Sequence, residues 1–178
     1  MNKHKGFTLI ELLIVIVVMG ILASMMMLSS SESVSTARAN NIISSLRNFS
    51  MAAMAFYTDK MDEFGKNPGY LSNNSTELTK QVKLRMHNEG NIPDEEKYEV
   101  VNNKEETEDN KTFYTLWVGY DLSEENSRVR EKLEARANSA KLCESDSIST
   151  PPARGSNSYP EYTKDKKCVW ILIRSNRR

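Results

Sequence analysis

From Phe7 to Leu28 the sequence is apolar at nearly every position, interrupted only by Thr8, Glu11, Gly20 and Ser24. So long a run restricts what the chain can be. At about 1.5 Å per residue it makes a helix of roughly 33 Å, enough to span a hydrocarbon core of about 30 Å. Residues 7–28 are therefore expected to cross a bilayer. Lys3, His4 and Lys5 stand just before the run, and the positive-inside rule keeps Met1 to Gly6 cytoplasmic and sends everything after Leu28 outward. The remaining length suits one extracytoplasmic domain over 29–178, since a chain of 178 residues is too short for two sizeable cores. Lys and Arg number 24 against 24 Asp and Glu, so the charge balance gives no support for a nucleic-acid partner.

Beyond the span the periodicity stays helical. Ala39, Ile42, Leu46, Phe49, Ala53 and Phe56 recur at spacings of three and four and form one apolar stripe, with Arg38, Asn40, Asn41, Arg47 and Asn48 off it. No Pro or Gly occurs between Ile21 and Phe64. The pattern predicts one helix from the leader to about Thr58, a rod of about 75 Å; a break in the serine run Ser29 to Ser31 is the alternative.

Gly65 to Asn74 reads as loop. A helix is expected from about Thr76 to His87, capped by Asn74 with Glu77 three residues on and stopped by Gly90. Lys97 to Val101 and the aromatic run Thr112 to Leu122 read as strands, separated by an acidic turn from Asn102 to Lys111. Ser123 to about Leu142 reads as one helix, Cys143 to Lys167 as a polar loop, and Cys168 to Arg174 as a last strand before a frayed basic tail. The fold class expected is α+β, with a long N-terminal helix laid across a small antiparallel sheet.

The junction KHKGFTLIELLIVIVVMGILA, Lys3 to Ala23, resembles the class III signal of type IV pilins and type II secretion pseudopilins. A short basic leader ends in Gly6, and Phe7, Thr8, Leu9, Ile10 and Glu11 open an unbroken apolar helix. The resemblance implies that a prepilin peptidase removes residues 1–6 by cutting between Gly6 and Phe7, then methylates the Phe7 amine. It implies a single-pass precursor in the inner membrane, and an inner-membrane assembly platform that builds these subunits into a homo-oligomeric helical filament, extracellular or periplasmic. Glu11 carries a carboxylate that insertion scales penalise by about 2.5 to 3.5 kcal/mol at a bilayer centre. In the family the corresponding carboxylate pairs with the N-terminal amine of a neighbouring subunit, which makes Phe7 and Glu11 the assembly residues here. Three functions follow in order: a structural subunit of a type IV pilus-like filament; a type II secretion pseudopilin driving protein export; a membrane-tethered extracytoplasmic enzyme or binding domain. Many major pilins have a Pro in the second half of the span, where this chain has Met25, Met26, Met27 and Leu28.

Cys143 and Cys168 both fall in the exported part, which favours a disulfide, and their position resembles the C-terminal disulfide-bounded loop of type IV pilins. Closing that loop would contribute about 3 to 4 kcal/mol on the chain-entropy model, useful because Ser149 to Asn157 offers almost no apolar residue to hold it down. Two reduced thiols packed as small hydrophobes are the other arrangement. Nothing in the pattern points to catalysis. His4 and His87 are the two histidines, and no His-based metal site or triad can be built from them. No cofactor is expected, and Glu144, Asp146, Glu161 and Asp165, although some pseudopilins bind Ca²⁺ in this region, have no defined ligand spacing. Trp117, Tyr120 and Trp170 are expected in the core.

Overall fold

The first helix, α1 (Leu9–Asp59), starts where Thr8 caps it and runs through the serine-rich stretch without a break. A computed structural model describes residues 7–72, 74–86, 95–106, 112–155 and 158–175; Gly6, His87 and Gly90 lie outside the described residues. Hydroxyls along α1 fold back on carbonyls four residues earlier: Ser24 on Gly20 at 2.8 Å, Ser35 on Ser31 at 3.0 Å and Ser50 on Leu46 at 2.8 Å. A serine satisfied in this way does not compel the helix to end. The helix stops at Lys60, whose N–H reaches the Phe56 and Thr58 carbonyls, and a short α2 (Met61–Lys66) turns away.

One face of α1 is buried over Ala39, Ile42, Ile43, Leu46, Phe49, Ala53 and Phe56, the stripe expected from the spacing. It lies against a four-stranded antiparallel sheet in the order β1 (Tyr98–Glu106), β2 (Thr112–Asp121), β4 (Cys168–Ser175) and β3 (Cys143–Ser145). Phe49 stacks on Tyr98 with centroids 4.5 Å apart, and Tyr98 meets Tyr120 at 4.6 Å. Between the fold's helical and strand layers, α3 (Ser75–Met86) covers the outer edge of β1. Its Asn74 cap accepts from the Glu77 N–H at 3.0 Å, and Thr79 closes both groups of the Val100 backbone, donating to the carbonyl at 3.2 Å and accepting from the N–H at 2.8 Å. The open edge of β1 is thereby closed at Val100.

Three elements depart from the sequence reading. The segment from Asn102 continues β1 as far as Glu106 and is not a turn. Its polar side chains are satisfied at long range: the Asn102 amide donates to the Pro68 and Tyr70 carbonyls at 3.1 and 2.9 Å, and Glu105 accepts from Thr115 at 2.8 Å. Residues 107–111 lie outside the described residues. The helix expected over Ser123 to Leu142 is two pieces, α4 (Ser127–Glu134) and α5 (Ala137–Ala140). Asn126 caps Val129 at 2.9 Å, whereas Ser123 is held in a turn by Asp121, so the helix starts four residues late. At its end Leu142 bonds to the Ala137 carbonyl at 2.9 Å and Lys141 to Asn138 at 3.3 Å, with Lys141 left-handed at φ 57°. This is a Schellman ending with a lysine where glycine is usual.

The third departure is the C-terminal loop. It covers the sheet face opposite α1, where Val101, Trp117, Cys168 and Trp170 form a second buried cluster with Cys143, Ile148, Tyr159 and Leu172 against it. Pro151 and Pro152 are buried too. Tyr159 meets Trp117 edge to face at 4.7 Å and its hydroxyl donates to Glu105 at 3.1 Å. The loop thus has apolar anchors that its composition conceals. Trp170 lies across Gly119, its partner on β2, so closely that a Cβ there would sit 2.6 Å from the ring.

Arg38 joins α1 to the segment after β2. Its Nη2 donates to Glu125 at 2.6 Å and to the Tyr120 hydroxyl at 3.0 Å, and that hydroxyl donates to Glu125 at 2.8 Å. Burial alone would raise the Glu125 carboxyl, but the bonds from Arg38 and Tyr120 outweigh it and hold the group below its ordinary value. A lowered carboxyl favours the folded state above the unfolded pKa and loses that contribution as pH falls through the folded one. Glu125→Gln should cost on the order of 1 to 3 kcal/mol near neutrality and flatten the acid-induced fall in thermal stability. Gly119→Ala, which must displace Trp170, should destabilise by about 1 to 3 kcal/mol, read from the same melts.

Candidate functional site

The N-terminal half of α1 makes no use of the domain. Leu9 to Met26 are exposed around the whole helix, and the segment is long and apolar enough to cross a membrane. A helix is one of the few forms that can do so, because it satisfies its own backbone groups. The end of that helix is built by Thr8 and Glu11. The Thr8 N–H and hydroxyl donate to Glu11 Oε2 at 2.8 and 2.7 Å, and the Glu11 N–H donates back to the Thr8 hydroxyl at 3.3 Å.

This is a reciprocal capping box. It closes donors that the first turn leaves open, places a carboxylate at the positive end of the helix dipole, and engages one of the two carboxylate oxygens. Phe7, 90% exposed, directly precedes the cap. Of the residues expected at the site, the structure therefore brings Phe7 and Glu11 to the same helix start, with Gly6 outside the described residues. Thr8 is the member that the sequence reading passed over, although Thr-x-x-Glu before an apolar run is itself a capping signature.

Where the span ends, the domain takes hold of the helix. Lys132 of α4 pairs with Glu32 at 2.6 Å, and Arg128 donates to the Ser31 hydroxyl. Further along, Arg38 meets Glu125 and Asp59 pairs with Arg85. Glu32, Arg38 and Asp59 are thus turned toward the domain. The opposite face of α1 presents Ser33, Ala37, Asn40, Asn41, Ser44, Asn48, Met51 and Ala55, all exposed and uncharged, with the exposed Arg47 among them.

Cys143 and Cys168 are free thiols on adjacent strands. In the register Cys143 faces Trp170 and Ser145 faces Cys168, so the two cysteines share a sheet face but sit on a diagonal. Diagonal neighbours are about 7 to 8 Å apart, beyond the roughly 4.4 to 6.8 Å between Cα atoms usual in a disulfide. Bridging them needs the three-residue edge strand β3 to shift. Burial, with Glu161 adding to it, pushes the Cys143 thiol up to about 11; burial and Asp121 push Cys168 up to about 12. Both are protonated near neutrality and poor nucleophiles.

The C-terminal carboxylates serve the loop. Glu144 accepts from the Thr163 N–H and hydroxyl at 3.0 and 2.6 Å, and Asp146 pairs with Lys166 at 3.0 Å. Among the described residues no group of three His, Cys, Asp or Glu is placed to hold a metal ion.

Residues 1–27 match the family model described as the prokaryotic N-terminal methylation motif. No curated protein and no solved structure matches the chain. In the reduced native protein, alkylation of either cysteine at neutral pH should be slower than in denaturant by at least about tenfold, as their raised thiol pKa values and burial demand; timed iodoacetamide labelling followed by peptide mass analysis measures it.

Proposed function

We propose, from the prepilin-type methylation motif that the chain carries over residues 1–27, that it is a structural subunit of a type IV pilus-like filament. Prepilin peptidase cuts between Gly6 and Phe7 and methylates the new amine. The precursor waits in the inner membrane as a single-pass protein, and the assembly platform gathers Phe7 to Leu28 of many copies into a central bundle, with the domains outside. The observation that carries this reading is the apolar half of α1, exposed on every side and opened by the Thr8 and Glu11 cap.

The chemistry of assembly follows from that cap. A carboxylate in hydrocarbon needs compensation. Within one subunit Thr8 supplies two donors to a single oxygen of Glu11; the positive Phe7 amine of a neighbouring copy supplies charge to the carboxylate, and in a medium poor in water that attraction is strong. The outer face of α1, with Arg47 as its one charge among otherwise neutral residues, supports the same reading, because helices packed side by side tolerate small neutral residues far better than unpaired charge. Cys143 and Cys168 form a disulfide in the oxidising compartment, with β3 shifting to admit it.

A type II secretion pseudopilin is the second reading, favoured by the absence of Pro from the span. Its filament would drive folded proteins outward. A tethered enzyme or binding domain would share the anchor and leave the Thr8, Glu11 and Phe7 arrangement without a role.

The mature protein should begin with a methylated Phe7, read by intact and N-terminal peptide mass spectrometry; a chain beginning near Ser24 or Met25 would sink the proposal. Glu11→Ala should insert and be processed while filament recovery falls by at least about tenfold, the loss expected for an unpaired buried charge partner. Recovery of wild-type protein in the sheared surface fraction identifies a pilus, and retention at the inner membrane identifies the secretion pseudopilus. Reduction should add the mass of two hydrogens to the exported protein.

A further inference from the structure

At the end of the domain farthest along α1 from the span, a cavity of about 30 Å³ is lined by Tyr57, Phe64, Asn102, Tyr114, Leu116 and Arg174. A water needs about 10 to 15 Å³ on this measure, so the space holds one small group. Arg174 forms one wall. Its guanidinium lies over the Tyr57 ring, 4.3 Å from the centroid, and no carboxylate among the described residues forms an ion pair with it. A cation–π contact to a ring uses none of the guanidinium's N–H groups, which stay available to an acceptor, and their planar fork matches a carboxylate.

The remaining walls are held firmly. The Asn102 amide ties down the turn through the Pro68 and Tyr70 carbonyls. Gly69 is pressed so closely on Tyr114 that a Cβ would stand 2.8 Å from its hydroxyl oxygen. Leu71 keeps a left-handed conformation at φ 57°, one that a bulky residue retains only where its surroundings impose it. Phe64 is fixed between Tyr57 and Tyr70, at 4.5 and 5.1 Å. The result is an aromatic notch of preset shape with one cation at its wall.

We infer that this notch binds a single carboxylate group, with Arg174 receiving the two oxygens and the rings of Tyr57, Phe64 and Tyr114 receiving the attached carbon. The carboxylate has two possible sources, a free small organic acid or an acidic side chain of a neighbouring copy. Acetate is the probe for both. Full-length protein in detergent micelles, labelled at arginine side-chain nitrogens and tyrosine rings, is titrated by NMR with sodium acetate against sodium chloride at constant ionic strength.

Acetate should give saturable shifts at Arg174, Tyr57 and Tyr114, and chloride should give none. Arg174→Gln should weaken acetate binding by about tenfold or more, the effect of losing a charged donor. Arg174→Lys, which keeps the charge and loses the fork, should weaken it as well. Gly69→Ala leaves Arg174 in place and drives Tyr114 into the cavity, so binding should fall while the remaining backbone resonances stay put. Shifts that never saturate and spread over all lysines and arginines would overturn the site, as would unchanged binding in Arg174→Gln. On assembled protein, a notch that still takes acetate serves a free acid, and one closed to acetate is filled by the neighbouring copy. A subunit that binds acetate yet never assembles would retain this site while defeating the filament reading.

Discussion

The burial of one stripe of α1 against the sheet is the contact on which the domain depends. Ala39, Ile42, Leu46, Phe49, Ala53 and Phe56 meet Tyr98, Val100, Leu116, Val118 and Tyr120 in a single core, and every other layer is added to that sandwich. Small residues at 39 and 53 let the helix approach the strands, and Phe49 fills the space between. At about 25 cal/mol per Å² of apolar area, such a contact is the largest favourable term available to a domain of this size. Without it the sheet would expose one hydrophobic face, and the second half of α1 would be a free amphipathic rod.

The same helix then has to serve a second environment. Its first half is apolar all round and its second half on one side only, and no break separates them. A continuous hydrogen-bonded helix transmits position along its length, so the place where Lys132 and Arg128 grip Glu32 and Ser31 sets how near the domain stands to the span. Past the apolar half, the charges of α1 other than Arg47 are used in fastening it to the domain, Glu32 to Lys132, Arg38 to Glu125 and Asp59 to Arg85. An outward face of small neutral residues is left for whatever packs beside it.

The second cluster, on the far face of the sheet, explains how a loop of serine, proline and charge is held in place. Tyr159 on Trp117, Trp170 across Gly119, and the buried Pro151 and Pro152 supply the hydrophobic contacts, while Glu144 and Asp146 pin the loop through Thr163 and Lys166. The loop does not depend on a covalent link for its position. The cysteines sit inside this arrangement on a diagonal of the ladder, and a bridge between them would act on an already packed segment.

Local patterns were enough for the features whose energetics are local. The span follows from an unbroken apolar run, the helix from a stripe at spacings of three and four, the Asn74 cap from its Glu77 partner, and the strands at Thr112 and Cys168 from β-branched and aromatic residues. The methylation motif over residues 1–27 belongs to this class, since its basic start, Phe7, Glu11 and the apolar run all lie within a short stretch of sequence. Contacts between distant residues were illegible because no spacing encodes them. Asn102 stays in a strand through carbonyls at Pro68 and Tyr70, Glu105 is shared by Thr115 and Tyr159, and Arg38 finds Glu125 across most of the domain. A polar residue looks like a turn or a solvated face until its partner is known, and only the folded chain supplies partners that lie tens of residues away. The notch beside Arg174 is the same kind of feature, drawn from α1, α2, a turn and three strands, and it exists because packing brings those pieces to one place.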